Sequence, residues 1–268
     1  MIFLKTEDEI GLIRESCLLV SKTIAEVARN IKPGISAANL DRIARTFIQN
    51  NGACPAFLGY NNFPAALCVS LNNEIAHGLP TEDKIIKEGD LVSVDCGIEY
   101  NGFYSDICYT FMIGNIDSDC FNLCKTTYTA LKKGITKAID GNRLGDIGYA
   151  IQKHVEKAGY SVTRNMFGHG IGRLLHEDPD VPNYGKKGRG VLLMDGMVMS
   201  IEPMVNLGRP ETATADDGWT VRTVDNKRSA HFEHTIAIRR GKAEILTSFN
   251  FVRKEIEINN YLWQNSFL

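Results

Sequence analysis

Residues 91–111 read LVSVDCGIEYNGFYSDICYTF, two strand-like runs on either side of Asn101-Gly102. Asn-Gly is among the strongest two-residue hairpin signals, because both central positions of a type I′ turn require positive φ. In that register residues whose numbers sum to 203 face each other: Tyr100 with Phe103, Gly97 with Asp106, Asp95 with Cys108. Opposed residues share a sheet face, as do residues two apart along a strand. Asp95 and Asp106 are therefore diagonal neighbours on one face, with Cβ atoms separated by somewhat less than about 7–8 Å. Two carboxylates at that separation repel unless they face water, share a proton or meet a cation. The hairpin by itself leaves a solvated polar face and a cation site equally open.

Upstream, Thr6 followed three residues later by Glu9 is a capping-box signature, and Ile10, Ile13, Cys17, Val20, Ile24 and Val27 recur at helical spacing. This predicts a helix over about 6–30, stopped by Lys32-Pro33-Gly34. Ser36 reads as the cap of a second helix that carries Leu40, Ile43, Ala44, Phe47 and Ile48 on one face and ends near Gly52. The same layout returns 107 positions later: Gly34 and Gly52 are 18 apart, as are Gly141 and Gly159, with Leu40/Ile147, Ala44/Ile151 and Ile48/Val155 at matching offsets. A long helix over 121–139 precedes the second copy. The repeat predicts two α+β halves related by a pseudo-twofold.

Segments 65–71, 91–111, 196–205 and 231–240 read as strands. Helix pairs beside antiparallel strands predict an α+β fold with helices over one sheet face. No linker or low-complexity segment divides the chain, so a single domain over 1–268 is expected, with a tail at 249–268 that lies beyond the motifs. The YGKKGRG run at 184–190 reads as a solvated loop.

Three further positions bear on the aspartates. His169 lies among Gly168, Gly170 and Gly172, which let backbone or ligand approach the imidazole. Glu202 ends a strand, with Pro203 behind it, and Glu233 interrupts the strand-like run HFEHTIAI. Four carboxylates and one imidazole are too hard and too anionic for a closed structural zinc site. They suit a pair of divalent ions bridged by shared carboxylates, with positions left open for water. No G-x-S-x-G, Walker A, H-E-x-x-H or C-x-x-C pattern supports another chemistry.

With 44% hydrophobic residues the chain can bury a substantial core. Thirty basic against 32 acidic side chains give a net charge of −2, so no global field points to nucleic acid or to a membrane surface. No apolar run approaches the roughly 20 residues of a membrane span, and the first ten residues read as neither a secretory signal nor a transit peptide. The seven cysteines fit a reducing cytosol, most of them as small core residues, and a cytoplasmic protein is expected.

In the order Asp95, Asp106, His169, Glu202 and Glu233, these five residues resemble the dinuclear metal site of the methionine aminopeptidases. The likeness extends through LCVSLNNEIAHGLP at 67–80, GFYSD, GHGIG, SIEPMV, DGWTVRTVDN and FEHT, and covers about residues 5–245. The short N-terminus and the absence of a large insertion before His231 resemble the bacterial type I form. The resemblance implies the pita-bread fold, whose two related halves agree with the repeat. It implies removal of the N-terminal methionine from nascent or newly made chains with a small second residue, by hydroxide that two divalent ions (Mn, Fe, Co or Zn) activate. Prolidases and proline aminopeptidases share the fold but usually carry an extra N-terminal domain. A prolidase-like peptidase and a non-catalytic binding protein on the same scaffold are the alternatives.

Residue by residue, the resemblance assigns Asp95 to one metal, Asp106 and Glu233 to bridging both, and His169 and Glu202 to the other. Glu202 is also the expected proton shuttle. His77 and His176 resemble the two histidines that hold the substrate amide, although each alone reads as an exposed loop histidine. Tyr60, Phe63, Cys68 and Trp219 correspond to the methionine side-chain pocket, with Phe57 nearby, although aromatics alone more often mark core. His154 and His234 read as structural, and His231 shares a strand face with Glu233. Three positions depart from the family pattern: many members have Thr at Gly97, Gln at His231 and an aromatic at Leu175. The expected partners are peptide and nascent-chain N-termini, with transient ribosome contact, no specific DNA binding, no membrane and a monomeric state.

Overall fold

The structure, a computed structural model, describes residues 1–264, so the last four positions of the tail expected at 249–268 lie outside the described residues. Helix α1 (Glu7–Asn30) begins at Thr6, whose Oγ1 accepts the Glu9 N–H while Glu9 returns its carboxylate to the Thr6 N–H. Its six periodic apolar residues, Ile10 through Val27, are fully buried. Helix α2 (Ala37–Asn50) is capped by Ser36, which accepts the Asn39 N–H at 3.2 Å. Helix α3 (Ser118–Ile135) starts earlier than the sequence pattern suggests, because Asp117 accepts the Cys120 N–H and sets the first turn there. Helix α4 (Leu144–Lys157) follows, and α5 (Asn250–Ile258) closes the described chain.

The hairpin forms with the expected register: strand Leu91–Tyr100 pairs with Phe103–Met112, Gly97 opposite Asp106 and Asp95 opposite Cys108. Asn101 and Gly102 both adopt positive φ, 54° and 80°, as a type I′ turn demands. Strand Leu67–Leu71 adds to the Leu91–Tyr100 side, with Cys68 opposite Asp95. A second sheet runs in the order Glu244–Ile245, His234–Ala237, Val198–Ile201, Gly168–Gly170, Glu177–Val181. Helix α1 packs on both hairpin strands and on α2 and α5, while α3 packs on α4. Among the described residues no helix is long and apolar enough to cross a membrane.

Two segments expected as continuous strands are broken. The run 196–205 divides into Val198–Ile201 and Met204–Asn206, and 231–240 divides after Ser229–His231 and resumes at His234–Ala237. Each break falls at a carboxylate, Glu202 or Glu233, where the strand leaves one sheet and joins another. Pro203 has no N–H to give to a ladder, which accounts for the first break. The tail packs against the body: Val252 and Ile256 are buried, and Asn259 Nδ2 donates to the Ala28 and Ile31 carbonyls at the end of α1.

The 107-residue repeat is physical. Helices α2 and α4 have 14 residues each, and both ends of α4 lie 107 positions after those of α2. Gly34, Gly52, Gly141 and Gly159 all take φ between 74° and 89°. The bridge Ser36–Ile85 recurs at the same offset as Arg143–Leu192, and Gly89 as Gly196, each glycine again with positive φ. Continuing at that offset, Asp95 corresponds to Glu202.

A Cβ on Gly34 or Gly141 would meet nothing within 4 Å, so alanine at either site carries only the cost of a left-handed backbone. We expect Gly34→Ala and Gly141→Ala each to lower stability by about 1 kcal/mol, and the double variant by about twice that. Urea midpoints would measure this, and clearly unequal single losses would argue against equivalent turns.

Candidate metal centre

The site forms along the seam between the hairpin and the second sheet. The Asp106 N–H donates to Thr235 Oγ1 at 3.2 Å, and the Thr235 hydroxyl donates back to the Asp106 carbonyl at 2.8 Å. One step along, the Glu233 N–H donates to the Cys108 carbonyl at 2.9 Å. At the next, Thr110 donates to the His231 carbonyl at 2.7 Å and accepts the His231 N–H at 2.9 Å. The two broken strands thus bring Glu202 and Glu233 to the hairpin face that carries Asp95 and Asp106.

Glycines admit His169. A Cβ on Gly168 would lie 2.2 Å from the Ser200 carbonyl oxygen, and one on Gly170 2.2 Å from that of Asp178, so no side chain fits on either side of the imidazole. Its Nδ1 is 2.9 Å from the Gly170 carbonyl, which leaves Nε2 directed at the carboxylates, 3.9 Å from Asp106 Oδ2 and 3.8 Å from Glu202 Oε1. Ser200 donates a short hydrogen bond to Glu233 Oε1, and Ile107 N–H donates to Asp106 Oδ1.

Burial is the main electrostatic fact here. It raises the carboxyl pKa values of Asp95, Asp106, Glu202 and Glu233, and the charge of Asp106 adds to the rise at Asp95, Glu202 and Glu233. Burial also pushes His169 down to about 3, so its imidazole is neutral and offers a lone pair. Asp95 Oδ1 is buried without a hydrogen-bond partner. Atoms of Asp106, His169 and Glu233 lie within 4.8 Å of one another, as do atoms of Glu202, His231 and Glu233. An orphaned carboxylate oxygen, a neutral inward imidazole and four mutually repelling carboxylates are what divalent ions would satisfy, so the donor set fits them.

A cavity of about 670 Å³ opens over this cluster. Every residue given a metal, catalytic or pocket role from the sequence lines it: Asp95, Asp106, His169, Glu202 and Glu233, and with them Phe57, Tyr60, Phe63, Cys68, His77, His176 and Trp219. Phe63 and Trp219 meet edge to face at 5.1 Å, with Phe57, Ala65, Cys68 and Leu79 completing an apolar end. The loop behind it needs its Gly and Asn residues, since Gly59, Asn61 and Asn62 all have positive φ. His77 also takes a left-handed backbone, φ 55°, beside Gly78, where a Cβ would collide with the Val69 carbonyl at 2.3 Å. Tyr60 Oη is 2.8 Å from His176 Nδ1, and the His176 ring stands 4.1 Å from that of His169. Burial lowers the pKa of both His77 and His176.

Sequence reasoning missed part of the wall. Met1, Phe3, Met166 and Phe167 also line the cavity. Phe3 is carried there by the N-terminal segment, which is latched by Lys5 Nζ on Glu177 Oε2 at 2.5 Å, a pair 4% exposed on each side. The available signal was the lone Lys5 ahead of the capping box, which periodicity does not register. His234, read as structural, is buried with Nδ1 2.7 Å from Thr247 Oγ1 and its ring against Phe249. Gly97 is explained by its neighbour: a Cβ there would sit 2.7 Å from Phe57 Cε1.

Residues 11–240 match metallopeptidase family M24. The chain is 50% identical over 247 residues to the methionine aminopeptidase of Clostridium perfringens, covering 92% of this chain and 99% of that protein. The crystal structure of methionine aminopeptidase from Thermotoga maritima superposes with a TM-score of 0.91 at 44% identity, covering 92% of this chain and all of that one. The prolidase from Pyrococcus furiosus superposes with a TM-score of 0.76 at 24% identity, covering 91% of this chain and 65% of that one, a likeness of fold.

The raised carboxyl pKa values fix the sign of a pH effect. Groups whose folded pKa exceeds the ordinary 3.8 or 4.5 contribute stability that is complete below those values and is lost as pH rises through the raised ones. Buried neutral histidines such as His169, His231 and His234 act in the opposite sense below the ordinary histidine value of about 6.5, so chelator-treated protein should melt at progressively lower temperature as pH rises from about 6.5 to about 8, and saturating divalent ions should flatten that decline. Ion binding near pH 7 should also release protons, seen as calorimetric heats that change with the ionisation enthalpy of the buffer. A pH-independent melting temperature would contradict the electrostatic account.

Proposed function

Since the chain belongs to metallopeptidase family M24, among its methionine aminopeptidases, we propose how its own side chains carry out N-terminal methionine removal. The fold is the pita-bread α+β fold, the enzyme is a metal-dependent aminopeptidase and the substrates are peptide N-termini. The alternatives, a binding scaffold and a prolidase-like peptidase, are not favoured at this identity to methionine aminopeptidases. The observation that carries the mechanistic reading is that one cavity has an apolar end, Phe63, Cys68 and Trp219, and a carboxylate floor, with His77 and His176 among its walls.

In this reading the methionine side chain enters the apolar end, where an unbranched thioether packs against Phe63 and Trp219. Asp95, Asp106, His169, Glu202 and Glu233 would hold the divalent ions that this donor set fits. Such ions supply Lewis acidity and a lowered pKa for water. Glu202 accepts the proton of the attacking water and delivers it to the departing amine nitrogen. His176 is neutral because it is buried, and with the Tyr60 hydroxyl donating to Nδ1 its proton sits on Nε2. That N–H and His77 hydrogen-bond the carbonyl oxygen as negative charge develops on it. A small second residue suits the walls formed by Tyr60 and His176. We extend the reading to a single catalytic domain over 1–268 that acts as a monomer in the cytoplasm on nascent chains, with transient ribosome contact.

The test is release of free methionine from Met-Ala-Ser by chelator-stripped protein resupplied with Mn(II), Co(II), Fe(II) or Zn(II), beside Leu-Ala-Ser and Met-Pro-Ser. Ion-dependent release confined mainly to the Met peptides is expected, and release of leucine at a similar rate would sink the assigned pocket. His176→Ala should lower kcat by about 10²–10³-fold with a small change in KM, the size seen when a single oxyanion donor is removed. Tyr60→Phe, which removes only the partner of Nδ1, should cost less than His176→Ala. A Tyr60→Phe loss as large as that of His176→Ala would contradict the assigned roles.

A further inference from the structure

His231 stands where the family resemblance leads to an expectation of Gln, and the structure gives it no conventional role. It is 1% exposed, and its Nε2 is buried without a hydrogen-bond partner. The residue is held on both sides of its backbone by Thr110 and opposed in register by Met204, so the ring has a defined direction. That direction is toward Glu202, whose carboxylate lies between two imidazoles. Oε1 is 3.8 Å from His169 Nε2, and Oε2 is 3.5 Å from His231 Nε2. One donor atom each from Glu202, His231 and Glu233 fall within 4.8 Å of one another, and the set around His169 shares Glu233 with them.

A separation of 3.5 Å is long for an N–H···O hydrogen bond, whose usual range ends near about 3.2 Å. Donor atoms each about 2.0–2.2 Å from a common ion, by contrast, stand about 3–3.5 Å apart. We propose that His231 is itself a metal ligand: its Nε2, with carboxylate oxygens of Glu202 and Glu233, binds a divalent cation, giving the centre a second imidazole. The amide of a glutamine offers no comparable lone pair. A second nitrogen donor shifts an oxygen-rich site away from Mg(II) and Mn(II) and toward Fe(II), Co(II) and Zn(II). The inference rests on the reading that the carboxylate cluster holds divalent ions, and it adds a ligand from this chain to that cluster.

The experiment is proton NMR of the whole protein loaded with Co(II), counting the hyperfine-shifted exchangeable imidazole N–H signals, with calorimetric titration of Co(II) in parallel. Two such signals are expected in the unmodified protein. His231→Gln should remove one and weaken Co(II) binding at least about tenfold, and His169→Gln should remove the other and retain the His231 signal. A single signal in the unmodified protein, or a count that His231→Gln leaves unchanged, overturns the proposal. The first of those outcomes needs no variant, so a poorly folding substitution does not protect the idea. Absence of any Co(II) binding would instead overturn the metal-centre reading as a whole, and calorimetry distinguishes that from a one-imidazole centre.

Discussion

Four carboxylates buried in one seam repel each other, and much of the architecture around them follows from holding them together. Neither sheet supplies the set alone. The hairpin brings Asp95 and Asp106 to one face through its register, and the second sheet brings Glu202 and Glu233 only because two strands break there. Hydroxyls of Thr110 and Thr235 join the sheets where backbone ladders stop. Without such cross-links a seam of like charges would tend to open, and a cation then acts as a structural element as much as a chemical one.

The pseudo-twofold distributes this burden. Asp95 and Glu202 occupy equivalent points in the two halves, each reached after a left-handed glycine, Gly89 or Gly196, and a strand entering the interior. Two copies of one strand ending give two carboxylates at equivalent positions, while Asp106, His169 and Glu233 lie outside that pair. The cluster thus combines a symmetry-related pair, Asp95 and Glu202, with three residues outside that pair.

Much of this was legible in the sequence because local rules operate at those points. Asn101-Gly102 admits one hairpin register, Thr6 with Glu9 admits one helix start, and the repeated glycines mark equivalent turns. The twelve residues proposed for the site from the sequence do line one cavity. What was not legible depends on tertiary placement. The breaks at Glu202 and Glu233 occur because strands change sheets, which alternation within one strand cannot reveal. Phe3 reaches the cavity through the distant Lys5–Glu177 pair, and the tail is fixed by Asn259 reaching the end of α1. His231 was visible as a departure from the family pattern, but its unpartnered nitrogen appears only when Glu202 is brought to it.

Gly97 and Phe57 illustrate a different kind of dependence. The aromatic ring occupies the space that a side chain at 97 would need, with 2.7 Å between Phe57 Cε1 and the position of a Cβ. The two residues are therefore alternative fillings of one volume, forty positions apart in the chain. A side chain at 97 requires the Phe57 ring to move aside or to be replaced by a smaller group. What either position can hold therefore depends on what the other holds, so the shape of this wall is set by the two together.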